Sequence, residues 1–322
     1  MRQNQIMAML LAVLCLAAGV LGFLLIRMYR DMNWIPVSAV ENLCRVLEKE
    51  GITLDPAIVP RQREKGTIYM SDGTDYEKKA ALLLVDSDIK NSYLIPDGQL
   101  FLHYNGDITE FSKGFQFRYR KNGYSQNSEI SIVSDGQIRD YKALTEGMPA
   151  LSLTGNAALA AGAFLDRQDD SLSGGIQVET VVLSVHGEEE GLAYVRCLRK
   201  MDGVEITDND VICRVEGGTV TEAVGKWCFM TFDQSYETQL SDITNILFMM
   251  KRTFAVENTD SGTGAESCTV TSLTRCYSLY LFAGDEGFCL IPCWRVETDS
   301  RDVLVYSALD GTLYTRMVNA ET

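Results

Sequence analysis

Histidine is nearly missing from this sequence: among 322 residues there are only two, His103 and His186. Hydrolysis and group transfer need a nucleophile beside a base, or a metal with its ligands, and imidazole is the usual supplier of both at neutral pH. His103 lies in LFLHYNG, where a strand runs into an Asn-Gly turn, and His186 lies in LSVHGEEEG at the mouth of a loop. Neither has the H-x-x-x-H spacing of a metal site, so both read as strand-end residues. The G-x-S-x-G elbow, the G-x-x-x-x-G-K-S/T phosphate loop and the G-x-G-x-x-G turn are missing too. Acyl transfer, phosphate cradling and dinucleotide binding therefore lack their backbone device. The sequence predicts no enzyme, no catalytic residue, no cofactor and no metal.

Positive charge is also scarce, with 29 Lys and Arg against 44 Asp and Glu and a net charge of −15. Three of the basic residues, Arg2, Arg27 and Arg30, sit at the N-terminal end, so the chain from Asp31 onward is more acidic still. Such a balance opposes phosphate backbones and anionic lipid heads, and nucleic acid is excluded as a partner. No Asn-x-Ser/Thr sequon occurs. An apolar fraction of 46% and this length suffice for two subdomains with real cores.

One long apolar run is present. Ile6 to Ile26, IMAMLLAVLCLAAGVLGFLLI, carries no charge and no amide side chain, and its length is that of a helix crossing the hydrocarbon core. It ends in Arg27-Met28-Tyr29-Arg30 without a small-residue cleavage site, which predicts an uncleaved signal-anchor at 6–26 after a short cytoplasmic tail at 1–5. Basic residues flank both ends, so charge leaves topology open. The size of the chain beyond the anchor places the C-terminal domain on the extracellular side of a single-pass membrane protein. Ala8, Ala12 and Gly19, and separately Ala18 and Gly22, put small residues on shared helix faces, and a second helix could approach closely there. Plain anchoring and specific pairing both remain open.

Beyond the anchor the pattern predicts an α+β fold of antiparallel sheets with packed helices, in an N-terminal subdomain at 31–145 and a C-terminal one at 146–322. VSAVENLCRVLEKE places Val40, Leu43, Cys44 and Leu47 at helical spacing, with Ser38 as a cap and Gly51 as a stop. From Gly66 to about Tyr141 the chain alternates apolar and polar residues between Asp-Gly and Asn-Gly pairs, the mark of antiparallel sheet. Helices are predicted from Asn156 to Arg167, capped by Thr154 or Asn156, and from Leu240 to Phe254. Strands are predicted at Leu192 to Lys200 and Asp210 to Val220. Three segments, beginning FQFRYR, AYVRCLRK and LIPCWRVET, share a frame of strand, polar turn, strand and glycine, which predicts an internal repeat of helix plus hairpin.

Eight cysteines come after the apolar run, and their spacings match neither a zinc site nor a small disulfide scaffold. Several sit in apolar runs as small hydrophobes, including Cys289 and Cys293 in CLIPC. Two acidic clusters, Glu188-Glu189-Glu190 and Asp166 with Asp169 and Asp170, lack the alternating ligands of a calcium loop and read as solvated turns.

Two segments carry a resemblance. WIPVSAVENLCRVLEKEGITLDPAIVP is similar to the juxtamembrane segment of the YycH/YycI group of Gram-positive regulatory proteins, at Trp34, Ile35, Pro36, Gly51, Ile52, Ile58 and Pro60. LIPCWRVETDSRDVLVYSALDGTLY resembles the closing hairpin of that group and of PepSY-type domains, at Pro292, Trp294, Val296, Ala308, Asp310 and Gly311. The hairpin at Asp202-Gly203 resembles the same PepSY-like unit. The cysteines and the acidic balance depart from the group's pattern. The resemblance implies PepSY-like helix-plus-hairpin repeats and a non-catalytic regulator of a sensor histidine kinase in a cell-envelope two-component system. Contact would run through the membrane helix and the ectodomain, with a homologous regulatory protein as a further partner in a heterodimer. Partner-binding candidates are Ala18, Gly22 and Trp294; for Trp294 a core aromatic is the competing reading. The other function class is an inhibitor or accessory module of an envelope peptidase or wall enzyme.

Overall fold

The computed structural model describes residues 2–71, 91–95, 99–104, 107–112, 116–123, 130–132, 138–139, 141–166, 176, 178–227, 232–260, 267–281, 288–299 and 303–317. In chain order, helices α1 (Arg2–Asn33) and α2 (Val37–Glu48) precede strands β1 (Ile52–Leu54), β2 (Lys65–Ser71), β3 (Asn91–Ile95), β4 (Gln99–Tyr104), β5 (Asp107–Ser112), β6 (Gln116–Arg120), β7 (Ser131–Ile132) and β8 (Ile138–Arg139). Helices α3 (Tyr141–Leu144) and α4 (Asn156–Asp166) come next, before β9 (Glu179–His186), β10 (Leu192–Met201), β11 (Val204–Glu216), β12 (Thr219–Lys226) and β13 (Gln234–Gln239). Helix α5 (Ile243–Asp260), β14 (Cys268–Leu281), β15 (Phe288–Thr298), β16 (Val303–Ser307) and β17 (Leu313–Met317) complete the order.

The expected α+β balance is corrected: strand makes up 48% of the described residues and the fold is mostly β. The helices expected at 37–50, 156–167 and 240–254 form as α2, α4 and α5; β9 ends at His186, read from the sequence as a strand-end residue, β12 runs on past the expected end at Val220, and β13 occupies a stretch where no strand is foreseen. Val181, Val182 and Val185 in β9 are β-branched residues that suit a pleated surface. The threefold repeat is corrected as well. Its first frame does not close on itself, because β6 pairs with β5 and β12, and β7 pairs with β8. Only β10–β11 and β15–β16 are antiparallel pairs of the expected kind.

The membrane-crossing helix at 6–26 is the third correction. Among the described residues no helix is long and apolar enough to cross a membrane. The side chains up to Val13 lie outside the described residues.

The chain divides into two compact units. The first holds residues 1–66, 237–274 and 293–322. In it, α2 turns Val40 and Leu47 into the core with Leu43 and Cys44 half-buried beside them, a stripe at helical spacing. Pro36 stands at the N-cap, so Ser38 lies within the first turn and makes no cap, whereas Gly51 ends the element with φ 81° as foreseen. The α2 stripe meets Ile246, Leu247 and Met250 of α5 and the strand residues Val296 and Leu304. β1 runs parallel to β14, Ile52 opposite Cys268 and Leu54 opposite Val270, and β15, β16 and β17 form an antiparallel ladder with Trp294 opposite Tyr306.

The second unit holds residues 67–236 and 275–292. Its main sheet runs β9-β10-β11-β12-β6-β5-β4-β3, antiparallel throughout. One face carries Val185, Val195, Cys197, Cys213, Ala223 and Phe117 beneath the alanine face of α4. Small alanines let helix and sheet approach, and Gly225 of β12 lets backbones do the same: a Cβ there would stand 2.1 Å from the Asp210 carbonyl oxygen. Asp202 (φ 50°) and Gly203 (φ 76°) make the tight turn between β10 and β11.

Candidate functional site

On the sheet face opposite α4 the second unit gathers polar side chains. Register explains the grouping: Ser184 of β9 lies opposite Arg196 of β10, and His186 opposite Tyr194. The Arg196 guanidinium donates from Nε to Asp210 Oδ2 at 2.8 Å and pairs with the same oxygen through a second nitrogen. Above them α3 supplies Tyr141, whose hydroxyl shares a 2.5 Å hydrogen bond with Ser184 Oγ and whose ring meets the His186 ring edge-on at 5.6 Å. Burial pushes the Tyr141 phenol above its ordinary range, while the Ser184 bond and the Arg196 charge pull the other way. Burial lowers Arg196, but the Asp210 carboxylate outweighs it and the guanidinium is held more firmly charged.

Chemically this cluster is a neutral phenol, a hydroxyl and an ion pair. The described partner of Ser184 Oγ is the tyrosine hydroxyl, so Ser184 and His186 do not form a nucleophile–base couple. Two buried polar atoms, Asp210 Oδ1 and His186 Nδ1, have no hydrogen-bond partner among the described residues. Tyr141, Ser184, Arg196 and Asp210 escaped the sequence reading. Their only signal there is the alternation Tyr194-x-Arg196 within β10, which apolar residues on both faces obscure. Arg199, unlike the part-exposed Arg196, is fully buried, and its guanidinium stacks 4.4 Å from the Trp227 ring.

The acidic triplet finds a structural use. Glu188 Oε1 accepts a 3.1 Å hydrogen bond from the Ala157 amide, so this carboxylate caps α4 from a distant loop in place of Thr154 or Asn156. Glu189 and Glu190 are exposed, and Asp169 and Asp170 lie outside the described residues. His103 falls in β4, its side chain outside the described residues. Among the described residues no group of acidic, histidine or cysteine side chains could hold a metal ion. The described cysteines are free thiols; Cys228 lies outside them. Cys289 and Cys293 are both buried in β15, and burial pushes the Cys289 thiol up to about 11.

The remaining candidates belong to the first unit. Trp294 is a core residue, 4% exposed, packed with Val296, Leu304 and Tyr306. Ala18 and Gly22 lie on α1, and a Cβ added at Gly22 would meet nothing within 4 Å. Around them α1 exposes Leu14, Leu16, Val20, Leu21, Phe23 and Ile26, each between 52% and 72% accessible. At 100° per residue these side chains fall on every side of the helix. Where α1 ends, Asn33 Nδ2 donates to the Tyr29 carbonyl at 2.9 Å. The chain then pairs with residues 61–63: Ile35 N donates to the Arg61 carbonyl and Arg63 N to the Asn33 carbonyl, both at 2.7 Å, with Trp34 bridged to Gln62. Arg63 in turn holds both oxygens of Asp242, at 2.9 and 3.0 Å.

No protein-family model matches the chain, and no curated protein matches it. Among solved structures it is similar to one described as "Crystal structure of an uncharacterized protein from Eubacterium rectale ATCC 33656 at 1.45 A resolution". The identity is 10% and the TM-score 0.38, with 85% of this chain and 98% of that chain covered. A likeness of that degree carries no argument about function.

Proposed function

We propose that this protein is a non-catalytic, membrane-associated regulator of a sensor histidine kinase in a cell-envelope two-component system. The observation that carries the reading is the exposed apolar surface of α1, joined without a flexible linker to a folded unit. Aliphatic and aromatic side chains exposed on every side of a helix need an apolar cover, lipid or another helix. The Asn33–Ile35 pairing with residues 61–63 ties whatever α1 binds to the first unit. The YycH/YycI resemblance supports the kinase as the partner: both of its segments contribute to one core, Ile35 and Ile52 from the first and Trp294, Val296 and Ala308 from the second. Regulation then consists of a difference in contact free energy with two states of the kinase.

The test is affinity purification of the tagged full-length chain from native membranes, beside the double variant Ala18→Leu/Gly22→Leu. Gly22 has open space around it, and Ala18 is exposed, so the variant keeps the fold and alters only what α1 presents. Co-purification of a histidine kinase with the native chain, weakened in the variant, is the expected result. Recovery of an envelope peptidase or wall enzyme without a kinase would replace this reading with the inhibitor one.

A further inference from the structure

We propose that Trp34, with Arg61 stacked on it, is an interfacial lipid-binding site that holds the first unit at the headgroup level of a phospholipid bilayer; this rests on the membrane-associated reading above. Three tryptophans occur in the chain. Trp227 and Trp294 are buried at 0% and 4% exposure, while Trp34 is 44% exposed. Backbone geometry makes this outward placement obligatory. Ile35 is in the core, its neighbour must point the opposite way in an extended segment, and the pairing with residues 61–63 fixes that segment on both sides.

The indole's surroundings have the composition of a polar–apolar boundary. The Arg61 guanidinium lies 6.0 Å from the ring centroid and donates from Nε to the Ile35 carbonyl at 3.1 Å, so both are held in place. One turn before the end of α1, Tyr29 is 71% exposed, and from Ile26 toward the N-terminus the exposed large side chains are apolar: Leu25, Leu24, Phe23, Leu21 and Val20. Going along the chain, the order is apolar helix, tyrosine, tryptophan with arginine, then folded unit. Aromatic rings with a polar edge and arginine with its apolar stem concentrate at this depth in membrane proteins. The net charge of −15 opposes attraction to an anionic surface. The ligand class is therefore a zwitterionic phospholipid, whose phosphate meets Arg61 while its ester region receives the indole.

The test places the full-length chain in phosphatidylcholine vesicles and compares it with Trp34→Phe, the difference in emission being the Trp34 signal. Flotation with the vesicles scores association separately. The expected result is loss of most of the Trp34 signal with phosphatidylcholine brominated near the glycerol end of its acyl chains, and protection of that signal from aqueous acrylamide. Flotation with a Trp34 signal quenched by acrylamide and untouched by bromine would overturn the interfacial site while leaving membrane association standing. Failure to float would overturn both. Circular dichroism of Trp34→Phe, unchanged because the residue is exposed, guards against a folding artefact.

Discussion

The two units reach their cores by different routes. The second grows mostly by neighbours in sequence: β3 to β6 form successive hairpins, and β9 to β12 form another meander that meets β6. The first closes only when remote segments meet. Ile52 pairs with Cys268 and Arg63 with Asp242, and the core joins residues near the start of the chain to Trp294 and Ala308 near its end. Local pairing loses little loop-closure entropy before contacts reward it, and remote pairing loses more. The second unit is therefore the more autonomous, and the first the more sensitive to the loss of one central side chain.

The largest effect should come at Gly225, where the second unit depends on backbone approach. Gly225→Ala forces a methyl against the Asp210 carbonyl and the Val211 Cα, which cannot yield as a flexible side chain would. A loss of about 4 kcal/mol or more in chemical denaturation is expected; a near-neutral result would show that β11 and β12 can spread. Next comes Trp294→Ala in the first unit. Removing this indole should cost about 3–5 kcal/mol, while Trp294→Phe costs clearly less. If both variants keep native stability yet lose a partner, Trp294 is a contact residue and the core assignment fails.

A smaller change tests the long-range clamp. Arg63→Ala breaks a half-exposed bidentate pair with Asp242, worth about 0.5–1 kcal/mol, and its effect should shrink in high salt. The last is a pH effect. Cys289 has an ordinary thiol value of 9.0 when exposed and about 11 when buried. The unfolded chain therefore ionises first: this contribution is complete below pH 9 and is lost as pH rises toward 11. Cys289→Ala should make the alkaline fall in the urea midpoint shallower. An unchanged slope would assign that fall to the buried phenols of Tyr69, Tyr141 and Tyr277, which burial also holds above their usual range.

Short-range features were legible in the sequence and long-range ones were not. The α2 stripe, its stop at Gly51 and the Asp202-Gly203 turn stem from spacing and from the conformations those residues accept. The capping carboxylate of α4 was hidden, because Glu188 lies 31 positions from Ala157. So were the Tyr141–Ser184 and Arg196–Asp210 contacts, which depend on strand register across β9, β10 and β11. The apolar run at 6–26 was plain as composition, but composition alone overstated what the described helix provides. A polar residue signals its partner only when that partner is a turn or a strand neighbour away.

The Glu188–Ala157 bond also governs how α4 breathes. The leading amides of a helix ordinarily exchange with solvent deuterium at nearly unprotected rates, because no carbonyl precedes them. Here the Ala157 proton is held by a carboxylate on a short turn whose flanking glycines, Gly187 and Gly191, both adopt left-handed geometry. Its exchange is therefore expected to record the opening of that turn rather than the fraying of the helix.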